Sequence, residues 1–148
     1  YKIAEDGELC MHGDSIMLGY YKDPEATAEV IDADGWFHTG DLARKDEDGY
    51  YFLTGRKKNL IILDSGENIS PEELEGIVGK CEAVKECVVK EMGKKIGVVV
   101  YCDEDKQQQV RDFITEANRT LPLYKRMSAV EFSTEPLPRN GAGKLLRQ

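Results

Sequence analysis

The sequence predicts an α+β protein. Up to about Thr54 the chain is a series of short apolar pieces punctuated by glycine, "GELCMHGDSIMLGYY", "GWFHTGDLA" and "DEDGYYFLTGR", a texture of short strands and turns. After residue 60 the pattern changes to helix, strand, strand, helix, strand. That order makes a compact unit whose helices cover one face of a small, mostly antiparallel sheet.

Each element has its own signal. In "DPEATAEVIDADG" a short helix is expected, with Asp23 as the cap, Pro24 at the first helical position and Gly35 past the end. Asp48-Gly49 between "LARKDE" and "YYFLTG" marks a hairpin, so residues 42 to 55 are read as two antiparallel strands. A second helix begins at Ser70-Pro71-Glu72-Glu73, with Ser70 as cap and Glu73 closing a capping box. Leu74, Ile77, Val78 and Cys81 then form one apolar stripe. "VKECVVK" and "IGVVVYC" make a second hairpin turning at Gly93. Asp105 leads into a third helix whose Val110, Phe113, Ile114, Ala117 and Leu121 share a face until Pro122 stops it. "MSAVEF" is the last strand.

Composition narrows the function classes. The 148 residues are 41% apolar, enough for a core, and 20 Lys plus Arg against 28 Asp plus Glu leave a net charge of -8. That balance argues against a nucleic-acid surface or an anionic-membrane surface, both of which need a concentrated basic field. Small basic clusters occur at Arg56 to Lys58 and at Lys125-Arg126, where solvated surface is the ordinary explanation. Cys10, Cys81, Cys87 and Cys102 lack the spacing of a zinc or redox pair, and His12 and His38 stand too far apart in sequence to suggest a metal site. Reduced thiols and no metal ligands are therefore expected. No apolar run is long enough to span a bilayer, and "YKIAEDGELC" does not read as a signal peptide. The chain is expected to begin inside a longer protein and to work in the cytoplasm, with peripheral membrane association as the remaining option.

Three stretches could carry chemistry. "NGAGKLL" fails as a phosphate-binding P-loop, because Pro138 stands where its first glycine belongs and Leu145 follows the lysine. It remains a lysine on a glycine-rich segment after Pro136-Leu137-Pro138, read as a mobile arm or as an exposed tail. "HTGDLA" places Asp41 after a Thr-Gly turn, where a carboxylate can accept from a ribose diol or close an Asx turn. "TGRKKN" offers Arg56 to a phosphate or ribose, or is a basic surface turn.

In order and spacing, "GELCMHG", "GYYKDPEAT", "GWFHTGDLA", "GRKKNLIILDSGENIS" and "PLPRNGAGKLLR" closely resemble the AMP-forming acyl-CoA synthetases of the adenylate-forming superfamily, most of all the fatty-acid and long-chain CoA ligases. The resemblance covers essentially the whole chain. It implies that residues 1–57 are the β-rich end of a large N-terminal adenylation domain and that residues 58–148 are a small mobile C-terminal domain. It also implies a two-step reaction: a carboxylic acid, ATP and Mg²⁺ give acyl-AMP, and domain rotation then lets coenzyme A take the acyl group.

By the same resemblance Asp41 and Arg56 bind the nucleotide, ATP or AMP. Lys58 is the hinge, and Lys57 is a solvent-facing neighbour. Ser65, Gly66, Glu67 and Asn68 form the loop that serves the thioester step, although Asn68 departs from relatives with a basic residue there. Lys144 matches the mobile catalytic lysine of adenylation. Trp36 is read as packing and His38 as structural. The Mg²⁺ ligands, the phosphate loop and the acyl pocket belong to the N-terminal portion of such a protein, so these residues alone are expected to be inactive. Two alternatives stand: an adenylating enzyme that uses a carrier-protein thiol, and a non-catalytic small-molecule-binding α+β module, which leaves Asp41, Arg56 and Lys144 without a common purpose.

Overall fold

The computed structural model describes residues 1–147. The chain divides into two compact units, Tyr1–Lys58 and Asn59–Gln148. The described residues form three α-helices and mostly antiparallel strands, the α+β class expected.

The first unit is a four-stranded antiparallel sheet in the order β1 (Lys2–Ile3), β2 (Glu8–Met11), β3 (Phe37–Lys45), β4 (Tyr51–Arg56). Helix α1 (Pro24–Val30) lies between β2 and β3 in sequence, and the Asp23 carboxylate accepts the Ala26 N–H at 3.0 Å as its cap. The β3–β4 hairpin turns through residues 46–50, where Asp46 Oδ1 accepts the Tyr50 N–H at 2.8 Å and Gly49 takes a φ of +91°. Strand β3 begins five residues before the strand the sequence suggested. Its "HTG" was read as a turn, whereas the structure keeps it in the strand as a bulge: Cys10 faces His38 but Glu8 faces Leu42, so β3 carries extra residues between those pairings. Gly40, at φ +71°, supplies the left-handed residue the bulge needs.

The second unit opens with a short hairpin of β5 (Ile61–Ile62) and β6 (Asn68–Ile69), followed by α2 (Pro71–Val78). Its main sheet is β7 (Glu86–Met92), β8 (Lys95–Tyr101) and β9 (Ala129–Ser133), with α3 (Gln107–Thr120) between the last two. β7 and β8 pair antiparallel around Gly93 and Lys94, at φ +57° and +64°, the two consecutive left-handed residues of a tight hairpin. β9 returns parallel to β8, which a crossover through α3 allows.

Alternation along the strands sends Val89, Ile96, Val98 and Val100 into a core with Leu74 and Val78 of α2 and Val110 and Ile114 of α3. Removing each such side chain from water contributes roughly 1.5–3 kcal/mol, which makes this cluster the main support of the unit. Ile77, Phe113 and Leu121 pack at its margin. One expectation fails here: Ser70 makes no side-chain cap on α2, and no capping box forms. The Ser70 hydroxyl instead donates to Glu72 Oε2 at 3.1 Å, and Glu73 is drawn away to Lys125 at 2.8 Å.

The opposite face of this sheet is covered by the C-terminal segment. Leu137, Pro138 and Leu146 lie beside Val88 and Val99 around a small cleft. The segment is anchored by Glu86, which accepts the Leu137 N–H at 2.8 Å and pairs with Arg139.

Candidate functional site

The bulge in β3 sets the first group of candidate side chains. Asp41 sits just after Gly40 and pairs across the ladder with Arg56 at the end of β4, where Arg56 Nε meets Asp41 Oδ1 at 2.7 Å. The Asp41 N–H is held by Thr39 Oγ1 at 3.1 Å, and the Thr39 hydroxyl donates to the Leu9 carbonyl at 2.8 Å. Asp41 does not spend its carboxylate on an Asx turn. Oδ2 stays available to accept from a diol, and the Arg56 terminal nitrogens have no acid partner among the described residues. The pair therefore presents one acceptor and a planar cationic fork side by side, a set suited to a ribose next to a phosphate.

Behind this pair lies a charged node that the sequence reading missed. Glu8 is buried, yet its carboxylate accepts the Gly40 N–H at 2.8 Å, Lys57 Nζ at 3.0 Å and His38 Nδ1 at 3.0 Å. Burial pushes the Glu8 carboxyl up, but its bonds to His38, Lys57 and Gly40 more than offset this and hold it below the usual carboxylate value. The same Glu8 contact, with Asp32 at 3.5 Å on Nε2, raises the His38 imidazole despite its partial burial. Lys57 also reaches Asp6 at 2.6 Å. It is exposed, as expected of a solvent-facing neighbour, and is also a member of this ion-pair node. The legible signal was the alternation in "GELC", which puts Glu8 and Cys10 on one strand face and demands partners for the acid.

Trp36 packs beside His12 at 5.3 Å between ring centres and under the Lys2 ammonium at 4.1 Å. All four cysteines are free thiols, and burial pushes Cys87 up to about 11. Glu8, Cys10 and His38 do bring three possible ligand atoms within 4.8 Å of one another. This mixed, sulfur-containing set does not suit Mg²⁺, which takes oxygen ligands, and the Lys57 ammonium already lies against Glu8.

In the second unit, Ser65, Gly66 and Glu67 form the tip of the β5–β6 hairpin, and Asn68 opens β6. Gly66 has a φ of +91° and donates its N–H to the Leu63 carbonyl at 2.8 Å, and a Cβ there would meet nothing within 4 Å. The Ser65 hydroxyl is bonded to the Glu67 carboxylate. Asn68 is exposed, as is Lys58 in the short 3₁₀ turn Lys57–Asn59.

Lys144 rides on a turn with its own hydrogen-bond framework. The Asn140 N–H reaches the Lys144 carbonyl at 2.9 Å, the Gly143 N–H reaches the Asn140 carbonyl at 2.9 Å, and Asn140 Oδ1 accepts from both Ala142 and Lys144 at 3.0 Å. Arg139 donates to the Gly143 carbonyl at 2.7 Å. This differs from the loose arm suggested by the glycines: Gly143, at φ +77°, shapes a closed turn. Three residues on, Arg147 binds Glu75 at 2.6 Å and Glu72 at 3.2 Å, and the same Glu72 oxygen accepts from Asn59 at 2.5 Å. Of Arg139, Lys144 and Arg147 in this segment, only Lys144 is exposed and without an acid partner among the described residues.

Known proteins resemble this chain over nearly its whole length. A long-chain-fatty-acid–CoA ligase of Salmonella typhimurium (strain LT2) is 41% identical over 149 residues, covering 98% of this chain and 26% of the relative. Over nearly its whole length the chain is thus similar to an AMP-forming acyl-CoA synthetase. A probable 4-coumarate–CoA ligase 2 of Dictyostelium discoideum is 36% identical over 151 residues, covering 99% of this chain and 27% of the relative. Among solved structures, the O-succinylbenzoate coenzyme A synthetase of Bacillus subtilis in complex with AMP is similar with a TM-score of 0.77 and 28% identity, over 95% of this chain and 29% of that one. The chain spans about a quarter of the length of the curated relatives it matches. No family model matches it.

Proposed function

We propose that this chain is the C-terminal portion of an ATP-dependent acyl-CoA ligase acting on a carboxylic acid, a fatty acid in the first instance. In the first half-reaction a carboxylate oxygen attacks the α-phosphorus of ATP, and the bond to pyrophosphate breaks to leave acyl-AMP. In the second, the thiol of coenzyme A attacks the acyl carbon, AMP departs with the oxygen, and the thiol proton passes to solvent. The observation that carries the reading is the Asp41–Arg56 pair at 2.7 Å, an acceptor and a cationic fork presented together on a strand bulge.

Each residue then has a physical task. Asp41 Oδ2 accepts from the ribose hydroxyls, and Arg56 turns its free nitrogens to ribose or phosphate. Lys58 absorbs the backbone rotation between half-reactions. Lys144 meets the negative charge that builds as carboxylate and phosphate approach, where an ammonium helps most at the transition state. The hairpin tip Ser65–Asn68 receives pantetheine, with Gly66 leaving room for its approach. Mg²⁺ neutralises phosphate charge when bound; its ligands belong to the N-terminal portion, since the donor set here does not fit it.

The same N-terminal portion is the partner we assign to the exposed Leu18, Tyr21 and Leu53 of the first unit, which are 103%, 87% and 65% exposed. No described helix is long and apolar enough to cross a membrane, and we place the enzyme in the cytoplasm with peripheral membrane contact as an extension. The test is pyrophosphate exchange by the full-length protein across a panel of carboxylic acids, followed by thiol acceptors. Acid-dependent exchange with transfer to coenzyme A supports the ligase. Exchange with transfer only to a carrier-protein thiol overturns the acceptor, and no exchange with any acid overturns adenylation.

A further inference from the structure

Among the described residues Glu8 is the one buried charged side chain, 4% exposed, and the reaction above gives it no task. A buried carboxylate is costly unless it is fully partnered, so its partners indicate what it is kept for. One oxygen takes the Gly40 N–H at 2.8 Å, and the other takes Lys57 at 3.0 Å. Gly40 immediately precedes Asp41, and Lys57 immediately follows Arg56. Asp41 and Arg56 are themselves cross-strand partners. A single carboxylate therefore grips the chain on either flank of the nucleotide pair.

That grip answers a mechanical need. Gly40 is left-handed at φ +71° in a bulge, with no side chain to pack, and a Cβ there would meet nothing within 4 Å. Without the bond to Glu8 its peptide loses that restraint, and the direction of the Asp41 carboxylate rests on Thr39 and Arg56 alone. His38 completes the node from the strand side at 3.0 Å, and Asp6 completes Lys57 from outside at 2.6 Å. A metal site built from Glu8, Cys10 and His38 is the competing use, but the Lys57 ammonium already provides the cation, and burial holds the Cys10 thiol protonated by pushing it up.

We propose that Glu8 is a positioning residue for nucleotide binding, which sets the Asp41–Arg56 pair through Gly40 and Lys57 without touching the nucleotide. The inference rests on the reading of Asp41 and Arg56 as nucleotide ligands. The experiment measures AMP affinity by calorimetry, with thermal melting alongside, for the full-length ligase and its Glu8→Gln, Lys57→Met, Asp41→Ala and Glu8→Gln/Asp41→Ala variants. Glu8→Gln is expected to weaken AMP binding about tenfold, as loss of a charge-assisted bond does, and to add no further loss in the Asp41→Ala background. Equal loss in both backgrounds, or unchanged affinity in a folded Glu8→Gln variant, overturns the proposal. If Glu8→Gln does not fold, Lys57→Met decides: weakening by about threefold that disappears without Asp41 supports it, and no change sinks it. An Asp41→Ala variant that binds AMP normally instead removes the nucleotide reading itself.

Discussion

At the scale of single residues, the site depends on charges held in fixed relations. Arg56→Met should weaken AMP binding by about tenfold while leaving the melting temperature nearly unchanged, because the pair is partly exposed and surface ion pairs contribute little to folding. Calorimetry and a melting curve separate the two effects. The node behind the pair also predicts a pH dependence. His38 is raised in the folded state, so its contribution is complete below its unfolded value and is lost as pH rises through the folded one. Glu8, Asp6 and Asp32 are lowered, so theirs is present above the ordinary carboxylate value and is lost as pH falls. The first unit should therefore be most stable between about pH 5 and 6.5. In the full-length protein, a His38→Gln variant should lose the decline on the alkaline side; an unchanged decline would assign it to other groups.

At the scale of elements, the strongly periodic pieces were legible and the irregular ones were not. The stripe of α2 and the face of α3 announce themselves, and Leu74, Val78, Val110 and Ile114 are indeed buried. Leu74→Ala should cost about 2–5 kcal/mol in denaturant unfolding, a side chain deleted from a filled core. The bulge at Thr39–Gly40 read as a turn because glycine marks both, and only the pairing of β2 with β3 tells them apart. The closed Lys144 turn was hidden for a related reason: its hydrogen bonds come from Asn140 and Arg139, polar residues whose partners a sequence does not show. Arg147 belongs with them. Because it anchors the segment after Lys144 to Glu72 and Glu75, Arg147→Ala should slow acyl-AMP formation about fivefold in single-turnover assays. Arg147→Lys should restore only part of that rate.

At the scale of the whole molecule, the motifs that carry the resemblance lie in both units: Asp41 and Arg56 in the first, Gly66 and Lys144 in the second. Spacing alone could place them in order. It could not reveal which partners Glu8 finds, because Gly40 and Lys57 lie far from it in sequence. The acyl substrate leaves no trace in this portion, and relatives named for fatty acid and for 4-coumarate match it at 41% and 36% identity. The proposed function implies a division of labour, in which Lys144 serves acyl-AMP formation and the Ser65–Asn68 hairpin serves thioester formation. The most direct measurement follows both half-reactions in single turnover with the full-length Lys144→Ala enzyme. The account predicts that acyl-AMP formation falls about a hundredfold or more while thioester formation from supplied acyl-AMP stays within about threefold of the unaltered enzyme. Equal loss in both half-reactions, or none in the first, would contradict it.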